Sequence, residues 1–231
     1  MAKHGKRYSD VLKKAPTGLV SLEEAVAFVK ANANAKFDET VEIAMRLGVD
    51  FKKSDQTVRG TVNLPHGTGK TVRVIVFAAG THADEAKEAG AEEVGYEDLI
   101  EKVKNGWTDF DVAISTTDAM KEVRKIARVL GPRGLMPNPK TGTVTDDTAA
   151  AVKAAKGGKV DFRMDRTGNV CVLCGKSSFD ADKLVGNINA IVAAVQSERP
   201  AAAKGTFIRS LTVSSTMGVG VRVQLKAEDA V

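Results

Sequence analysis

The sequence predicts an α+β domain, an antiparallel sheet with helices on one face, interrupted by an inserted α/β, Rossmann-like three-layer domain. Three observations carry this. Strand-like runs near both ends of the chain alternate apolar with polar residues and are joined by short turns. Between them strand-like and helix-like runs alternate, as right-handed crossovers in a parallel sheet require. Charge follows the same partition: residues 68–159 hold 14 Lys and Arg against 14 Asp and Glu, leaving 20 cations and 15 acids for the flanks. The whole excess of the +5 net charge therefore lies outside the middle.

In the first flank, Leu22–Val29 follows Ser21 as an amphipathic helix, with Ser21 and Glu24 spaced as a capping box. Thr40–Val49 reads as a strand, with Val41, Ile43, Met45 and Leu47 on one face, and Val58–Leu64 as another after the turn-like Lys53-Ser54-Asp55. In the last flank, Val160–Met164 and Asn169–Leu173 flank Asp165-Arg166-Thr167-Gly168, the turn chemistry of a hairpin. A helix over Asp182–Gln196 follows, then strands over Thr206–Ser214 and Val219–Leu225 that meet around Met217-Gly218.

In the middle, strands are expected at Val72–Phe77, Glu93-Val94 and Asp111–Ser115, and helices at His82–Ala89, Glu97–Lys104, Asp118–Leu130 and Asp146–Lys156. This nesting assigns residues 1–67 with 160–231 to the first domain and 68–159 to the second. Glycines at both crossings, Gly67 and Gly69, Gly157 and Gly158, form a candidate paired hinge, because glycine absorbs backbone rotation readily.

A sequence pI of about 9.1 makes a nucleic-acid footprint a fair expectation. No apolar run reaches the ~20 residues of a membrane span. The basic start Met1–Tyr8 fits a phosphate-tracking arm or a solvated terminus, and no apolar stretch follows it as in a secretory signal, so a cytoplasmic location is expected. His66-Gly67-Thr68-Gly69-Lys70-Thr71 mimics the end of a phosphate loop, but Leu64 stands where the first glycine belongs and a strand rather than a helix follows. Cys171-Val172-Leu173-Cys174 lies in a strand-like run that sends the thiols to opposite faces, and His4, His66 and His82 are remote in sequence. Two reduced, partly buried thiols, no metal and no cofactor are expected. Catalytic constellations are absent from the sequence, and eleven aromatics in 231 residues argue against a broad base-stacking platform.

Gly131-Pro132-Arg133-Gly134-Leu135-Met136-Pro137-Asn138-Pro139-Lys140 holds two glycines, three of six prolines and two cations. Neither helix nor sheet is expected to run through it, which makes it a shaped loop. Lys36-Phe37-Asp38-Glu39-Thr40 and Ser214-Ser215-Thr216-Met217-Gly218 bring small hydroxyls, a glycine and an apolar side chain to strand ends. Such residues suit the shallow minor groove and 2′-hydroxyls of structured RNA, although on sequence alone they more often form an ordinary strand-end turn.

The proline-rich run continued through Thr141-Gly142-Thr143-Val144 resembles the family of large-subunit ribosomal protein number one, bacterial type. The resemblance extends over nearly the whole chain, through Lys36–Thr40, Ser54–Val62, Leu64-Pro65-His66-Gly67, Ala203–Ser210 and Thr216-Met217-Gly218. It implies a monomeric, non-enzymatic protein that joins the ribosome by binding a junction in large-subunit rRNA and forms a mobile stalk. It also implies assistance to the release of deacylated exit-site tRNA and repression through its own operon mRNA. The residues it assigns to RNA are Lys36, Phe37, Thr40, Arg163, Arg166, Ser210, Thr216, Met217 and Gly218. The rival class, a nucleotide-dependent enzyme built on the middle domain, has a fold in its favour but little residue support.

Overall fold

The computed structural model describes residues 5–51 and 53–225. In chain order it begins with helices α1 (Lys6–Lys14) and α2 (Leu22–Asn32) and strands β1 (Thr40–Leu47) and β2 (Arg59–Asn63), with a 3-10 turn at Ser54–Gln56. The Ser21 hydroxyl accepts from the Glu24 N–H while the Glu24 carboxylate accepts from the Ser21 N–H, so the capping box at α2 is formed. Helix α1 was not expected: it buries no residue, and its charged sequence reads as a tail. Residues 1–4 of the predicted basic arm lie outside the described residues.

The middle comprises β3 (Val74–Phe77), α3 (Thr81–Glu88), β4 (Glu93–Gly95), α4 (Glu97–Lys104), β5 (Val112–Ser115), α5 (Met120–Val123), α6 (Ala127–Leu130) and α7 (Thr148–Lys156). The expected continuous helix over Asp118–Leu130 is interrupted by a 3-10 turn at Arg124–Ile126. Val123 and Ile126 are both buried three residues apart, a spacing that 3-10 geometry satisfies as well as α geometry. The proline-rich run is largely irregular, with Leu135 and Met136 packed on the core, but it ends in a 3-10 turn at Pro139–Thr141. That correction has a local cause: Asn138 caps the turn from Oδ1 to the Lys140 N–H at 2.9 Å, and proline suits the first helical position.

The chain returns through β6 (Lys159–Arg163), β7 (Asn169–Lys176), α8 (Ala181–Ser197), β8 (Ile208–Ser215) and β9 (Val221–Val223). The expected β6–β7 hairpin is a turn without a ladder. Only Met164 and Val170 bridge; β6 then pairs with β2, and β7 with β1. Asp165 builds the turn itself, accepting the Thr167 and Asn169 N–H groups at 2.8 Å each. These bonds, first of them the one from Asn169, pull its carboxyl down to about 2.

Two compact units result, Met1–Gly69 with Val160–Val231 and Lys70–Lys159. The first holds a four-stranded antiparallel sheet in the order β7-β1-β8-β9 and the two-stranded β2-β6 pair. Val41, Ile43, Met45 and Leu47 are buried with Val170, Val172, Cys174, Leu211 and Val213, against Val26 and Val29 of α2 and Leu184, Ile188 and Ile191 of α8. Burial contributes about 1.5–3 kcal/mol for each such large aliphatic side chain. The second unit has a parallel sheet, β4-β3-β5, whose central strand is buried throughout. Ile75 and Phe77 enter one core and Val74 and Val76 another, so helices cover both faces. No helix among the described residues is long and apolar enough to cross a membrane.

Candidate nucleic-acid interface

Because β1, and most of β7 and β8, bury alternate residues, the sheet of the first unit keeps one face free of its own core. Register sets three rows across it: Leu173–Glu42–Ser214, Cys171–Ala44–Thr212–Arg222 and Asn169–Arg46–Ser210. Directly opposed residues share a face, so these are side-chain neighbours. The face is polar and carries exposed Arg46 and Arg222.

At one end of this face the start of β1, the segment after β7 and the turn after β8 converge. The Thr40 N–H donates to the Thr216 hydroxyl at 3.0 Å, the Thr216 N–H donates to the Thr40 carbonyl at 3.0 Å, and the hydroxyl donates to that carbonyl at 3.3 Å. Thr216 thus spends its proton inside the protein and keeps one lone pair for a further donor. Lys176 reaches the Thr40 hydroxyl at 3.0 Å, and Asp38 accepts from the Ser177 hydroxyl and from the Ser178 hydroxyl and N–H. The Ser178 hydroxyl, then that of Ser177, holds the Asp38 carboxyl below the usual carboxylate range.

Glu39 lies beneath these contacts, 2% exposed. One oxygen accepts the Ala35 N–H at 2.9 Å, and the other accepts the Met217 N–H at 3.1 Å. Burial acts to raise its carboxyl, but the Ser215 hydroxyl and those two N–H groups outweigh it and hold the group below its ordinary value. Gly218 completes the turn, its N–H donating to the Ser215 carbonyl at 3.0 Å, and a Cβ there would collide with the Ser215 hydroxyl. The tips remain open. Phe37 is 55% and Met217 52% exposed, and Leu173 on the adjoining row is also exposed, so this region holds three of the six large apolar side chains exposed among the described residues.

The other assigned residues are elsewhere. Ser210 lies opposite Arg46 near the far end of β1, six residues from Thr40, or about 20 Å along a strand. Arg166 is exposed in the Asp165 turn at that same end, where the Gly168 carbonyl accepts the Leu47 N–H at 2.9 Å. Arg163 is exposed at the end of β6, in the two-stranded pair. Lys36 is exposed beside Phe37. Thus Lys36, Phe37, Thr40, Thr216, Met217 and Gly218 come together, while Arg163, Arg166 and Ser210 do not join them. Sequence reading missed Glu39, Asp38, Lys176 and Arg46, whose partners are mostly remote in sequence. Asp165 had a local signal, since Asp-x-Thr-Gly-Asn is a side-chain-capped turn.

At the candidate hinge, Gly67, Gly69 and Gly158 have positive φ of 68°, 72° and 99°, and Gly157 has φ −71°. Asn187, fully buried, accepts the His66 N–H at 3.1 Å and donates to the Gly67 carbonyl at 3.0 Å, fastening the approach to Gly69 within the first unit. Lys70, the lysine of the phosphate-loop mimic, pairs with Asp111 at 2.6 Å, and no helix follows it. Cys171 is exposed and Cys174 buried, a correction to the expectation of two partly buried thiols; both are free. Burial raises both thiols, which favours the unreactive protonated form. Among the described residues no group of three or more His, Cys, Asp or Glu side chains is placed to hold a metal ion.

The sequence pattern of the Ribosomal protein L1p/L10e family matches residues 29–219. The chain is 59% identical over 213 residues to the Large ribosomal subunit protein uL1 of Cutibacterium acnes, covering 92% of each chain. It is 54% identical over 228 residues to the protein of that name from Streptococcus sanguinis, and 53% over 228 residues to that from Streptococcus pneumoniae. In both, the match covers 98% of this chain and 100% of the relative.

Proposed function

The chain belongs to the Ribosomal protein L1p/L10e family, and from that premise we propose that it is a constituent of the large subunit of cytoplasmic ribosomes that binds rRNA through its first unit. The observation that carries this reading is the end of the open sheet face where Phe37 and Met217 stand exposed above a hydrogen-bonded polar base. Exposed apolar side chains gathered at one place mark a contact surface. The hydroxyls, backbone groups and cations around them suit a shallow RNA minor groove, and the 2′-hydroxyls there distinguish RNA from DNA.

In this reading Lys36, Phe37, Thr40, Thr216, Met217 and Gly218 form the principal contact, and Ser210 with Arg163 and Arg166 touches RNA further along. The RNA is the junction at the base of a mobile large-subunit stalk, and a mimic of it on the protein's own operon mRNA gives repression. The electrically neutral second unit moves relative to the first about Gly69, Gly157 and Gly158, beyond the anchored Gly67, and the stalk assists deacylated tRNA in leaving the exit site. No step is chemical: the protein positions RNA and breaks no bond. The test is a filter-binding titration of a stalk rRNA fragment against an unrelated duplex. Tighter binding of the fragment, weakening by about 0.7–0.9 log units per neutralised phosphate for each tenfold rise in salt, supports the proposal. Equal affinity for both RNAs overturns it.

A further inference from the structure

Glu39 is the one carboxylate at this end of the sheet that is withdrawn from solvent, and it touches both segments that carry the exposed tips. Residues 33–39 have no regular secondary structure, yet they present Lys36 and Phe37 at a defined place. From the other side, Met217 lies in a turn whose exposed side chain has no core to hold it. We propose that Glu39 is a positioning residue for RNA recognition: its two oxygens bind the Ala35 and Met217 N–H groups, and so set the spacing between Phe37 and Met217.

The assignment rests on the RNA-binding reading above and adds a residue that does not itself meet RNA. Burying a carboxylate is unfavourable unless donors surround it, and here there are three: two backbone N–H groups and the Ser215 hydroxyl. The Glu39 carbonyl also accepts the Ser177 N–H at 2.8 Å, so a third segment of the same end is tied to this residue. Both side-chain oxygens are acceptors for N–H groups on different segments. Glutamine, though equal in shape, must turn its NH₂ toward one of those N–H groups, leaving donor against donor. One segment then moves, and an RNA surface fitted to the pair loses its register.

The test uses the whole chain and compares Glu39→Gln with Val195→Ala, a cavity variant in the fully buried core of the same unit. Thermal midpoint, affinity for the stalk rRNA fragment well below that midpoint, and the amide spectrum by nuclear magnetic resonance are measured for each. Both variants are expected to melt earlier. Only Glu39→Gln is expected to bind more weakly, by roughly five- to a hundredfold, the effect of an unpaired polar group. Its salt slope stays unchanged and its Ala35 and Met217 amide resonances move. Ser215→Ala, which removes one donor and keeps the charge, should shift the same way by less, and answers the question if Glu39→Gln does not fold. Wild-type affinity in a folded Glu39→Gln or Ser215→Ala, or an equal loss in Val195→Ala, overturns the assignment while leaving the RNA-binding reading intact. A wild type that does not distinguish the fragment from an unrelated duplex overturns both.

Discussion

Met217→Ala separates a contact surface from an ordinary turn. The side chain is 52% exposed, so truncating it removes little from the free protein, and its backbone N–H to Glu39 is untouched. Stability should change by less than about 0.5 kcal/mol, as for surface substitutions away from special features. Full burial of a methionine contributes about 1.5–3 kcal/mol, and roughly half of this one remains to be covered, so about 0.8–1.5 kcal/mol of binding depends on it. That corresponds to a loss of about four- to twelvefold in affinity for the stalk rRNA fragment. The assay pairs a filter-binding titration with a thermal melt of the same preparation. No charge is removed, so the salt dependence should run parallel to wild type. A melt lowered by several degrees with affinity unchanged would refute the reasoning, because Met217 would then be serving the fold.

Thr216→Val removes the hydroxyl that meets the Thr40 N–H and carbonyl, so it should destabilise the protein by about 0.5–1.5 kcal/mol as well as weaken RNA binding, read by denaturant unfolding beside affinity. Loss of affinity without loss of stability would show that the Thr40 pairing does not matter to the free fold. Lys36→Ala should leave stability unchanged and flatten the slope of log affinity against log salt by about 0.7–0.9; a parallel slope would remove Lys36 from the phosphate contacts. For Asp165→Asn the sign is fixed by the lowered carboxyl. Its stabilising effect is present above the ordinary value of 3.8 and lost as pH falls through about 2. Wild type should therefore melt above the variant at pH 6, the gap closing toward pH 2, and a gap independent of pH would contradict the turn geometry.

Local regularities were readable and long-range ones were not. The alternation of β1 places Val41, Ile43, Met45 and Leu47 in the core as its period requires, and Ser21 with Glu24 announces α2 through spacing alone. Helix α1 escaped although Tyr8, Val11 and Leu12 are spaced as a helical stripe, because three apolar residues among five charged ones read as a basic tail and none of them is buried in the fold. The β6–β7 turn was legible in Asp165–Gly168, but the choice of partner strand on each side is tertiary: β6 goes to β2 and β7 to β1. In the candidate site the exposed tips Phe37 and Met217 carry a motif signal. The base beneath them carries none, since Thr40 and Thr216 are 176 residues apart and Glu39 reads as one more surface acid until its partners at 35 and 217 are known.

The claim that RNA recognition resides in the first unit is tested most directly by removing the second. Residues 1–69 joined by a short linker to 160–231 keep the four-stranded sheet, its helices and every residue assigned to RNA. Titrated against the stalk rRNA fragment and an unrelated duplex, this chain should retain preference for the fragment and an affinity close to that of the whole protein. If it folds by circular dichroism yet binds both RNAs alike, the second unit is a principal reader and the interface has been assigned to the wrong place.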